Sequence, residues 1–164
     1  MSVEVLDESG TRADVDALAG LSRFVLDRMR LHPDAELCIK LVDADAISEL
    51  NRRFMNATGP TDVLAFPMDE LTPGRDGDPV EARPDGQLGD VALCPAVARR
   101  NAAEHGHSVS EEVDLLVVHG ILHLLGYDHA EPDDHREMFD LQAGLLAEWQ
   151  RVRDGQLVRD DGSL

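Results

Sequence analysis

His119, His123 and His129 stand within an eleven-residue stretch, HGILHLLGYDH, that is otherwise mostly apolar. The first two are four positions apart. On an α-helix that spacing stacks them on one face, with Cβ atoms roughly 6 Å apart. Two imidazoles so placed reach one metal ion, but a third ligand must arrive from another direction. Continued as helix, the chain would carry position 129 about 15 Å along the axis from position 119, at about 1.5 Å per residue. Gly126 removes the difficulty, because glycine accepts the left-handed conformation that ends helices and lets the chain turn back. The string HxxxHxxGxxH thus combines a ligand face, a helix stop and a returning ligand. Three neutral imidazoles leave one tetrahedral position open on zinc, as in catalytic rather than closed structural sites. A water in that position has its pKa lowered to about 7. Each remaining ring nitrogen needs an acceptor, and Asp128 and the acids after His129 are the candidates. Imidazole also suits Cu, Fe and Ni, so the residues alone do not single out zinc.

The other histidines carry weaker signals. His105 and His107 flank Gly106 and are expected as solvated loop residues, His32 precedes Pro33 at a helix end, and His135 is expected on the surface. Cys38 and Cys94 are isolated and form no CxxC, which fits buried free thiols in a reducing cytoplasm.

The elements that must position the histidines follow from periodicity. The chain of 164 residues, 43% hydrophobic, is the size of one domain, expected over residues 1–150 with a polar tail at 151–164. Strands are expected at 3–6, 36–42, 61–68 and 88–94, and helices over 14–29, 43–55, 95–106, from Ser108 into the histidines, and from Pro132 onward. Ile47, Leu50 and Phe54 mark the apolar stripe of the second helix, and Ser108 with Glu111 forms a capping box for the fourth. Residues 72–87, rich in Pro, Gly and charge, read as a long mobile loop. The order β-α-β-α-β-β-α-α-α implies an α+β domain. No apolar run approaches the roughly 20 residues of a membrane span, and the first residues lack the pattern of a secretion signal, so a cytoplasmic protein is expected. Fifteen basic against 33 acidic residues give a net charge of −18. Such a chain repels polyanions at long range, unless the charge-balanced stretch 17–53 presents a local basic face between Arg23 and Arg53.

HGILHLLGYDH is also similar to the signature of the YbeY family, bacterial metal-dependent endoribonucleases that act in rRNA maturation. GPTDVLAFPMDE (59–70) resembles that family's P-T-[ND]-V-L-S-F segment, and LGDVALC (88–94) its G-D-I-x-[IL] strand. The resemblance covers about residues 36–150. It implies a zincin-like α+β fold, a mixed β-sheet flanked by helices, with one zinc ion on His119, His123 and His129. It further implies single-strand-specific hydrolysis of RNA phosphodiester bonds in maturation of the 16S rRNA 3′ end and in ribosome quality control. The partners implied are rRNA in ribosomal particles and small-subunit proteins, with no membrane and no DNA.

Two departures from the family pattern stand out. Many members carry an arginine where Met55 stands, which leaves Arg52, Arg53 and Asp128 as the catalytic candidates, and Ala65 replaces the serine of V-L-S-F. These changes bear on RNA cleavage more than on metal binding. Two other readings stay open. HxxxHxxGxxH has the ligand spacing of the metzincin peptidases, HExxHxxGxxH, so a zinc amidohydrolase or peptidase is one. Gly120 opposes it by standing where that chemistry needs a general-base glutamate. The other is a ribosome assembly factor whose metal only staples the last helices. Aromatic residues are few and fall on predicted core faces, so base stacking is not expected, and affinity for RNA is expected to depend on an assembled particle.

Overall fold

Apolar alternation along short strands builds a single sheet. The structure is a computed structural model that describes residues 3–160, with side chains as far as residue 155. Strand β1 (Val3–Asp7) leads to α1 (Val15–Arg28), β2 (Glu36–Leu41), α2 (Ala44–Met55), β3 (Val63–Pro67), a 3-10 turn (Val80–Ala82), β4 (Gln87–Leu93), α3 (Pro95–His105), α4 (Val109–Leu124) and α5 (Pro132–Asp160). The element order is the one read from the sequence. The strands lie in the order β1-β2-β4-β3. β1, β2 and β4 run parallel, and β3 pairs antiparallel with β4, so the sheet is mixed and the fold α+β.

Successive side chains in a strand point to opposite faces, and this separates two cores. Leu37, Ile39 and Leu41 of β2 and Val91 and Leu93 of β4 face the larger one, closed by Leu21 and Val25 of α1, Val117 and Ile121 of α4 and Met138 of α5. Leu64, Ala92 and Cys94 face the smaller one beneath Ile47 of α2. Both cysteines are free thiols, Cys94 buried and Cys38 half-buried. The stripe expected on α2 ends early. Ile47 is fully buried, but Phe54 is 56% exposed and meets the edge of Phe66, at 5.3 Å between ring centroids. The short edge strand β3 offers the last turn of α2 nothing more to cover it.

Residues 72–86 are irregular outside the 3-10 turn and run against the end of α1, and residue 87 already belongs to β4. Gly74 N–H donates to the Met29 carbonyl (3.1 Å), His32 N–H donates to the Pro84 carbonyl (2.9 Å), and Arg83 pairs with Asp27 (3.1 Å). Helix α5 continues to Asp160, so the boundary expected at 150 falls within it. Trp149 packs on Phe24 of α1 at 5.4 Å, and Arg153 reaches Asp114 of α4 at 3.6 Å. With the helix nucleated by such contacts, each further residue adds a hydrogen bond at little cost, whatever its polarity. Among the described residues, no helix is long and apolar enough to cross a membrane.

Helix α4 crosses the sheet between α1, α3 and α5 and lies against it at Gly120. A Cβ there would lie 3.0 Å from Val91 Cγ1 and 3.5 Å from Val63 Cγ2. Any side chain at this position would press on Val91, which would have to yield by a few tenths of an ångström. Gly120→Val is expected to lower stability by about 1–3 kcal/mol through overpacking, seen as a lower urea midpoint at constant m-value. A midpoint equal to the wild type would show that helix and sheet are not in contact here.

Candidate metal centre

Helix α4 ends as its glycine dictates. Gly126 adopts φ 96, its N–H donates to the carbonyl of His123 (3.0 Å), and Tyr127 N–H donates to the carbonyl of Leu122 (3.1 Å). This is the Schellman pattern, which satisfies two carbonyls that the helix end would otherwise leave unpaired. Asp128 then accepts the His129 backbone N–H at 2.7 Å and bends the returning segment. The three predicted histidines come together. Ring centroids are 4.6 Å apart for His119 and His123, 5.3 Å for His123 and His129, and 5.8 Å for His119 and His129. One ring nitrogen from each lies within 4.8 Å of the others.

This donor set fits a metal ion. The Nε2 atoms of His119 and His123 are 3.1 Å apart, close to the roughly 3.3 Å that two imidazoles adopt on a tetrahedral ion at about 2.0–2.1 Å. Gln142 of α5, buried, accepts from His119 Nδ1 at 2.9 Å. The proton held there leaves the Nε2 lone pair directed at its neighbours. Burial pushes His119 below the ordinary histidine range, against the opposing pull of the Gln142 bond. Burial also lowers His123, helped by the neighbouring rings of His119 and His129. Both are therefore neutral at pH 7, the state in which imidazole binds a cation.

The histidines line a cleft of about 400 Å³ together with Asp62, Ala65, His105, Glu112 and Phe139. Asp62 is held in place, with Oδ1 accepting from Val63 N–H (2.8 Å) and Oδ2 from Asn101 Nδ2 (3.2 Å). The other candidates are elsewhere. Arg52 pairs with Glu49 at 2.5 Å, Arg53 lies over the Phe54 ring at 5.3 Å, and neither lines the cleft. Met55 is exposed. Asp128 spends its carboxylate on its own turn, so the acceptor expected there for a ring nitrogen is supplied to His119 by Gln142 instead. Gln142 had one signal in the sequence, a lone amide between Met138 and Leu145 on an apolar stripe. Asp62 had its place in GPTDVLAF. His105 is exposed, as expected, but belongs to helix α3, and His107 lies in the turn expected for it, but half-buried. His105 closes α3, and both rings bond the buried Glu112, which faces inward from the first turns of α4. His135 is exposed, as expected, and stacks on Phe139 at 4.4 Å.

An α+β domain with a mixed sheet, carrying an open three-imidazole cluster at the end of a glycine-stopped helix, defines a class of proteins whose cleft offers a donor set that could hold a metal ion. The particular family is shown by comparison. The family described as Endoribonuclease YbeY matches residues 7–150. Endoribonuclease YbeY of Nocardioides sp. is 62% identical over 151 residues, covering 92% of this chain and 99% of that protein. Endoribonuclease YbeY of Thermobifida fusca is 58% identical over 151 residues, with 92% and 96% covered. The solution structure of TM1509 from Thermotoga maritima aligns with a TM-score of 0.63 at 30% identity, covering 93% of each chain. The chain belongs to the YbeY family.

Two outcomes follow from the site. Gln142→Ala frees the His119 ring and is expected to weaken zinc binding by about 10–100-fold, measured by competition with a chromophoric chelator. Unchanged affinity would remove Gln142 from the site. The second concerns pH. In the metal-free protein, His119 and His123 resist protonation more than they do in the unfolded chain, so the unfolded state binds more protons just below pH 6.5. Their stabilising effect is complete above pH 6.5 and falls away as pH drops toward their folded values. Imidazole resonances titrating below 6.5, alongside a melting temperature that falls with pH in that window, check the sign.

Proposed function

We propose that this chain is a zinc-dependent endoribonuclease that cleaves single-stranded segments of ribosomal RNA during maturation of the small subunit, in the cytoplasm, acting on ribosomal particles. The observation that carries the reading is the convergence of three imidazole nitrogens within 4.8 Å at the mouth of a cleft. Relatives named Endoribonuclease YbeY over almost the whole chain support RNA as the substrate. A peptidase reading fares worse, because Gly120 stands where such chemistry needs a general-base glutamate.

Bound by His119, His123 and His129, zinc supplies Lewis acidity at a phosphoryl oxygen and charge stabilisation as the phosphate becomes more negative. The protein's own groups do the rest. Gln142 keeps the His119 proton on Nδ1, so Nε2 remains a ligand. Asp62, fixed by Val63 and Asn101, is the acceptor for the proton of the attacking oxygen. Phe139 gives the cleft an apolar wall against His119 and His129. No Arg or Lys is among the described residues that line the cleft. With a net charge of −18, long-range attraction to RNA is absent, and the ribosomal particle supplies the remaining affinity.

The test is cleavage of precursor rRNA by zinc-loaded wild type and by His123→Ala. Cleavage is expected to fall by at least about 10²-fold while circular dichroism and the melting curve show a folded variant. New 5′-phosphate ends would mark attack by water, and 2′,3′-cyclic phosphates attack by the substrate's 2′-OH. Full cleavage by folded His123→Ala, or no cleavage of particle-borne rRNA by the wild type, would overturn the proposal.

A further inference from the structure

A second cluster of potential ligands stands at the other end of α4. Its local logic resembles that of the first. Helix α3 closes with His105, and Gly106 at φ 73 reverses the chain so that His107 turns back toward the same side. Ser108 then starts α4 with a reciprocal capping box to Glu111. The next residue, Glu112, points inward and is 1% exposed. Its Oε1 meets His105 Nδ1 at 3.0 Å and His107 Nε2 at 2.5 Å. The donor atoms of all three lie within 4.8 Å of one another.

A carboxylate this deeply buried needs a positive charge or a metal beside it. Among the described residues, its ion-pair partners within 4.0 Å are these two histidines, with no Arg or Lys. An imidazole brings that charge only when protonated. Moreover, one imidazole would suffice to orient the carboxylate, whereas two converge here on the same oxygen through different ring nitrogens. Two imidazoles and one carboxylate form the ligand set of a His₂Glu zinc site, which leaves a coordination position free. Glu112 and His105 line the cleft, and His105 is 56% exposed on its side chain, so a free position would open toward the same space as the first centre.

We propose that His105, His107 and Glu112 form a second binding site for a divalent first-row metal ion of the zinc type, separate from the three-histidine centre. Glu112 and His119 are seven residues apart on one helix, two turns or about 10 Å of rise. That exceeds the roughly 3.5–4 Å of a two-metal site sharing one reacting group, so each ion is held independently. The site places a second positive charge in a cleft whose described lining has no Arg or Lys. Under the endoribonuclease reading, that charge meets a backbone phosphate away from the scissile bond, but the site itself stands on its geometry and is tested without RNA.

The experiment is equilibrium dialysis of the chelator-stripped full chain against Zn²⁺, with metal analysis, in an Asp85→Ala background. That background removes the exposed His32–Asp34–Asp85 group, which also brings three donor atoms together. Two ions per chain are expected. Glu112→Gln should bind one and His123→Ala should bind one, each retaining the other's site. His105→Ala, altered at an exposed ring and so safe for folding, should weaken only the second equivalent, by more than about tenfold. Imidazole NMR signals of His105 and His107 should shift with that equivalent and not with the first. A single ion per chain, or a second equivalent untouched in His105→Ala with His105 and His107 signals unmoved, would overturn the proposal. Ion counts and ring signals are read apart from cleavage, so loss of the second site and failure of the endoribonuclease reading give different results.

Discussion

The Tyr127 N–H donating to the Leu122 carbonyl, with Gly126 N–H donating to His123, is the interaction on which the metal centre depends. It stops α4 one residue after Leu124 and reverses the chain. Had the helix run on, His129 would lie about 9 Å beyond His123 along the axis, out of reach of any shared ion. The stop requires a positive φ, which costs an ordinary L-residue about 1–2 kcal/mol and glycine almost nothing. One residue without a side chain thus determines whether three imidazoles form one site or two remain on a helix face.

Around that stop, α4 acts as a rigid rail. Its start is set by the Ser108–Glu111 capping box and its middle by the close approach of Gly120 to Val91 and Val63. Glu112, His119 and His123 recur at spacings of seven and four, which keeps them on one side of the helix. Helix α5 closes over this side. It inserts Met138 into the larger core and Gln142 against His119, and it anchors through Trp149 on Phe24. Of the three clustered imidazoles, two are held on a packed helix, and His129 comes from a loop. A site preorganised in this way does not have to order its side chains when a ligand arrives.

Charge gives the cleft its character. In the balanced stretch between Arg23 and Arg53, three of the six basic groups are engaged by acids, Arg28 by Glu148, Arg30 by Asp76 and Arg52 by Glu49. The cleft offers histidines where nucleic-acid sites more often offer arginines. An acidic chain gives RNA no long-range attraction through its bulk field.

The sequence by itself determined what is local. Periods of two and of 3.6 residues fall within single segments, so the nine strands and helices and their caps could be read directly, as could the histidine face and its glycine stop. The tertiary structure alone decided what joins distant segments. Gln142 meets His119 across 23 positions, and Asp62 meets Asn101 across 39, because α5 folds back over α4 and β3 pairs beside β4. Glu112 carried no signal in the sequence, and only packing buried it against His105 and His107. Arg52, Arg53 and Asp128 were near the site only in sequence, and the directions of α2 and of the returning turn carried their side chains away from it. Periodicity reports which face of an element is apolar, but which polar group another element brings to that face depends on how the elements dock, and no local pattern encodes that.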